Sequence, residues 1–80
     1  MDDEQERRDV LSAAVAEARE RWLIKQVWFL TPWGQWRRGA VEHIGDTGAM
    51  LVLVYKHGTP GIKVWSHIER IPDVLKLVSR

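Results

Sequence analysis

Two arginines, Arg37 and Arg38, follow two tryptophans, Trp33 and Trp36, spaced three apart around a Pro-Trp-Gly turn in the stretch TPWGQWRRGAV. A guanidinium fork suits carboxylate or phosphate, and an indole is a rigid apolar anchor or a stacking surface. That is the chemistry of binding. Downstream, Tyr55, Lys56 and His57 repeat the pattern of a ring beside a cation at the end of an apolar run. Together Trp33, Arg37, Arg38, Tyr55, Lys56 and His57 are expected to form a partner-binding surface. A protein or peptide would use the rings as anchors and offer acidic groups to the arginines. A nucleic acid would stack its bases on the rings and lay phosphates on Arg37 and Arg38. Residues 25–71 carry six bases and three acids, a net charge of +3, which is too modest to call for nucleic acid and favours a protein partner.

Catalytic patterns are not found. His43, His57 and His67 fall in separate segments with no i, i+4 pair, and the chain has no cysteine, so the spacing of a zinc site is missing. Ser12 and Ser66 have no base nearby in sequence, and there is neither a glycine-rich phosphate loop nor a nucleophile elbow. Glu42 and Glu69 could approach each other across strands, but read just as readily as solvated rims. The expectation is a non-enzymatic module without catalytic residue, metal or cofactor. No run resembles a signal peptide or a spanning helix, which reads as a cytoplasmic chain with no membrane partner.

The elements that must position these residues follow from periodicity. Leu11, Val15, Ala18 and Trp22 recur at steps of four, three and four, one face of a helix over residues 1–24 whose first eight residues are expected to be frayed or a charged first turn. After Lys25 the period becomes two. QVWFLT, QWRRGAVEHI, AMLVLVYK and IKVWS read as strands separated by PWG, GDTG and HGTPG turns. HIERI reads as one helical turn leading to a short fifth strand, and residues 73–80 as a C-terminal turn or tail. The fold expected is mainly β with an N-terminal helix: a five-stranded small barrel over residues 25–72. Eighty residues without a disulfide need a dense core. Each of the five tryptophans can contribute on the order of 4 to 6 kcal/mol gross by burial.

The stretch from Val27 to Ile71, with its W..G.V..I second strand, its VLVY third and its closing VWSHIERI, resembles the Tudor and SH3-like small-barrel superfamily. The resemblance implies a strongly bent five-stranded barrel. Many Tudor domains hold a methylated lysine or arginine in an aromatic cage. Here the cage positions fall on Leu30, Arg37, Tyr55 and the region of His57, so the cage is not retained and Arg37 would repel a cation. The closing IKVWSHIERI also resembles the plasmid-borne type II dihydrofolate reductases, small barrels that catalyse as tetramers. That resemblance implies an oligomeric reductase, but the family's Val-Gln-Ile-Tyr run is replaced by IKVWS.

Strand parity assigns Trp28, Leu30, Gly39, Val41, Leu51, Leu53 and Tyr55 to the barrel interior. It leaves Val27, Phe29, Trp36, Ala40, Met50, Val52 and Val54 facing outward, a patch too apolar to stay in water. The helix stripe of Leu11, Val15, Ala18 and Trp22 is expected to cover that patch, with Trp36 as one of its anchors. A homodimer, with patches or helices meeting across a two-fold axis, is the rival cover. Trp33, in the turn, belongs to neither face and is either a lid on the core or a binding anchor.

Overall fold

The computed structural model of the chain describes residues 2–78. An N-terminal helix, α1 (Asp2–Trp22), leads into a meander of β1 (Gln26–Leu30), β2 (Trp36–Ile44), β3 (Ala49–Val54) and β4 (Ile62–His67). A 3₁₀ turn (Ile68–Arg70) and one turn of helix, α2 (Ile71–Val74), then carry the chain to β5 (Leu75–Leu77). All pairings are antiparallel, in the order β4-β3-β2-β1-β5. β4 and β5 are the two edges, and the sheet stays open. No helix among the described residues is long and apolar enough to cross a membrane.

α1 begins at Asp2, well before the first apolar residue of its stripe. Its exposed first turns are held by local pairs: Arg8 to Glu4 at 2.9 Å and Gln5 to Asp9 at 3.0 Å, each i, i+4. Of the two expectations for these residues, fraying or a charged first turn, the second holds from Asp2 onward. The short fifth strand expected after HIERI is present but lies later, in the segment expected to be a turn or tail, because a helical turn over Ile71–Val74 comes first and Leu75 then pairs with Phe29. Ser79 and Arg80, the end of that segment, lie outside the described residues, as does Met1.

The helix covers one face of the sheet. Val15, Ala18 and Trp22 are buried against Val27, Phe29, Met50, Val52 and Val54, and Leu11 packs on the same cluster. The outward patch expected from the sequence is thus real for these five strand residues, and the helix lies over it. Two of its members do not belong. Trp36 is exposed on the opposite face, with Ala40 half-buried beside it, so Trp36 packs against neither helix nor core. Gly39 and Val41, assigned to a barrel interior, face the helix instead.

The rest of that assigned interior is the open outer face. Trp28 and Tyr55 are exposed, and Leu30, Leu51 and Leu53 are half-buried. The physical reason is register. Val27 pairs with Gly39 and Gly39 with Val54, which puts odd residues of β1 and β2 on the same side as even residues of β3. A one-residue difference in register exchanges every side chain between faces. A bulge at Glu42, between Val41 and His43, shifts β2 once more, so that Val41 and Ile44 both reach the core.

Candidate functional site

The uncovered face presents four of the five tryptophans to solvent or at its rim: Trp28, Trp33, Trp36 and Trp65. Three of these stand on strands, and Trp33 stands at the tip of the β1–β2 loop. That loop is closed by Thr31, whose backbone N–H donates to the Gln35 carbonyl at 2.8 Å. The Thr31 hydroxyl bonds the same residue twice, donating to its carbonyl at 2.9 Å and accepting from its N–H at 3.1 Å. Gly34, with φ of 86°, supplies the left-handed residue that the turn requires. Thr31 is buried, so the loop has a fixed base.

On that base Gln35 arranges the site. Its side-chain carbonyl accepts from the Trp33 indole N–H at 3.2 Å, from Arg37 Nε at 3.2 Å and from Arg37 Nη2 at 2.9 Å. One amide oxygen thereby holds the loop-tip ring and the first arginine in place. Trp33, Arg37, Tyr55 and Lys56 line one hollow of about 310 Å³, floored by Val54 and Ile62; Arg37, Val54 and Ile62 share the helix side of the sheet with Phe29, so this hollow lies at the end of that face rather than on the open one. A second hollow of about 600 Å³ adjoins it, lined by Trp28, Gln35, Trp36, Arg37, Arg38 and Tyr55. The first is at the small end of ligand-sized cavities, enough for one or two side chains of a partner. The Tyr55 hydroxyl accepts from the Gln26 side chain at 2.8 Å, which fixes the ring shared by both hollows.

The electrostatics of this surface are one-sided. No carboxylate lines either hollow. Among the described residues Arg37, Arg38, Lys56 and Lys76 make no ion pair, whereas Lys63, farther along the face, is matched by Glu42 at 3.4 Å. The Arg38 guanidinium sits over the Trp28 ring at 5.6 Å from its centroid, and the Lys76 ammonium over Trp36 at 4.3 Å. The first contact is a direct cross-strand pair, since Trp28 is opposite Arg38; Lys76, opposite Trp28 on the other side, reaches across β1 to the Trp36 ring.

Of the residues singled out in the sequence, the structure brings Trp33, Arg37, Tyr55 and Lys56 around one hollow and Arg38 to its neighbour. His57 is exposed in the β3–β4 turn and lines neither. Sequence reading missed Trp28 and Trp36, the first assigned to an interior and the second to the helix contact. Their signal, rings sharing one face with cations of nearby strands, becomes visible only once the register is known. His67 has a structural role: Nε2 donates to the Thr47 carbonyl at 2.9 Å, and Nδ1 accepts from the Glu69 N–H at 3.2 Å, capping the 3₁₀ turn. Glu42 is occupied by Lys63, and His43 is exposed beside the bulge. No family model, no curated protein and no solved structure matches this chain.

Proposed function

We propose that the chain is a non-enzymatic binding module that uses its open sheet face, the β1–β2 loop and the adjoining end of the helix-side face to hold a protein or peptide segment carrying apolar or aromatic side chains beside carboxylates. The observation that carries this reading is the pair of hollows lined by rings and cations with no acid, pre-arranged by the Gln35 amide. A preordered aromatic anchor beside an unpaired guanidinium loses little freedom on binding, which is how a small interface gains affinity. The fold behind it is proposed to be an SH3-like small barrel left open. The order β4-β3-β2-β1-β5 with a 3₁₀ turn before the last strand resembles that family.

Nucleic acid would draw on the same cations but needs free ring faces for its bases. Arg38 and Lys76 already lie on Trp28 and Trp36, which favours the protein partner. The test is selection from a displayed library of random twelve-residue peptides, followed by titration of the enriched peptides and of oligothymidylate against the purified protein. The expected ligands carry Asp or Glu next to Trp, Phe or Leu. Trp33→Ala and Arg37→Ala should each weaken binding by about ten- to thirtyfold, as for a hot-spot residue, with the melting temperature unchanged. Enrichment of no peptide, together with oligothymidylate binding that weakens steeply with salt, would replace this reading with the nucleic-acid one.

A further inference from the structure

Beside the core-facing stripe of α1 runs a flank that is only partly covered: Ala14 is half-buried against the core and Arg21 lies over the Trp22 ring at 5.5 Å, while Asp3, Arg7, Val10 and Glu17 are exposed. A groove of about 790 Å³ runs between α1 and the 3₁₀ turn with α2, and the helix residues along it include Asp3, Arg7, Val10, Ala14, Glu17 and Arg21. Their steps are four, three, four, three and four, an unbroken stripe at coiled-coil spacing, about a quarter turn around the helix from Val15, Ala18 and Trp22. Val10 is 69% exposed at its middle, an apolar residue that nothing in the chain covers. Asp3, Arg7, Glu17 and Arg21 make no ion pair among the described residues.

The stripe is complementary to itself when reversed. Laid antiparallel on a second copy about a two-fold axis at the level of residue 12, Val10 meets Ala14, Arg7 meets Glu17 and Asp3 meets Arg21, each contact occurring twice. Laid parallel, Asp3 would face Asp3 and Arg7 would face Arg7. The small Ala14 side chain permits close approach of the two helices, and Val10 fills the space above it.

We propose that α1 is a self-association surface, pairing antiparallel with α1 of a second copy through this stripe. The geometry also accounts for the reach of the helix. Residues 3–10 are all exposed and extend past the sheet, giving a long axis of 51 Å against 25 and 20 Å. In the pair, each projecting N-terminal half lies along the C-terminal half of its partner. The stripe spans about 27 Å of helix, so the contact is at the low end of specific interfaces and the association is concentration-dependent. Glu6 and Glu69, the other acids of the groove, meet no assigned cation and keep it weak.

Sedimentation equilibrium on the full chain between about 5 and about 500 µM tests this, a range that brackets a micromolar dimer. The wild type should dimerise. Arg7→Glu and Glu17→Arg should each weaken the dimer at least about tenfold, because the two-fold axis places two like-charge contacts in either homodimer. An equimolar mixture of the two variants should recover dimer, since both contacts are then opposite in charge. Circular dichroism should show both variants folded, as both positions are exposed. A wild type that stays monomeric throughout, a dimer indifferent to both reversals, or a mixture that does not recover would each overturn the proposal. Peptide binding by the sheet face is measured separately and stands or falls independently.

Discussion

Gly39 decides how closely β2 and β3 can run at the centre of the sheet. It is buried opposite Val54, and a Cβ at this position would run into the Leu53 carbonyl oxygen. The obstruction is backbone, which cannot swing aside as a side-chain tip can. Gly39→Ala should therefore cost about 2 to 4 kcal/mol, the upper range of overpacking, seen as a lower urea midpoint with unchanged slope. Gly45→Ala is the control. There the nearest atom would be the His43 ring at 3.7 Å, an ordinary contact, and the midpoint should move little. Equal loss at both positions would mean that the two strands are not packed as described. Within the site, Gln35 plays the comparable part for polar groups, since three donors converge on one oxygen. Its spacing two residues from both Trp33 and Arg37 is legible in the sequence, but its role depends on a loop closed by Thr31, which no pattern of residue types announces.

Between α1 and β1 the chain turns through Ile24, which has φ of 64° and is 80% exposed. A β-branched residue in the left-handed region is strained. It is held there because its N–H donates to the Val41 carbonyl at 2.8 Å, while the Lys25 N–H donates to Trp22 at 3.1 Å. Arg19 ties down the same end of the helix, donating to the Ile44 carbonyl and to Asp46, both at 2.9 Å. Ile24→Gly keeps both backbone bonds and removes the strain. After the entropy cost of glycine, it should raise the melting temperature by about 2 to 8 °C. A fall would show that the Ile24 side chain holds the helix in place. The elements themselves were legible: the change of period at Lys25 and the glycine-rich turns mark the helix and the first four strands. The fifth strand was expected after HIERI, but its place at Leu75–Leu77 was not legible, because LKL is too short to show a period. Nor was the assignment of faces, since β1 and β3 are apolar on both sides and the bulge at Glu42 adds a residue that alternation cannot reveal.

Taken whole, the molecule is two-sided. Helix, core and one sheet face form a single packed layer pair, while the other face is left to water or to a partner. Its radius of gyration of 13.8 Å exceeds the roughly 11.6 Å expected for a round domain of this length, which reflects the projecting helix. The five tryptophans report this division directly. Trp22 is 8% exposed, whereas the other four range from 39% to 61%. A closed barrel would have hidden Trp28 inside, and a helix anchored on Trp36 would have hidden that ring as well. Acrylamide should therefore quench the free protein with an accessible fraction of roughly four-fifths of the tryptophan emission, one share for each exposed ring. In Trp22→Phe the inaccessible remainder should vanish. Occupation of the sheet face by a peptide should shift the emission to the blue and lower the accessible fraction, whereas pairing through α1 should leave that fraction unchanged, because Trp22, the indole beside the stripe, is already buried. An accessible fraction near two-fifths in the free protein would mean that the outer face is covered, and the open sheet on which the binding site rests would have to be abandoned.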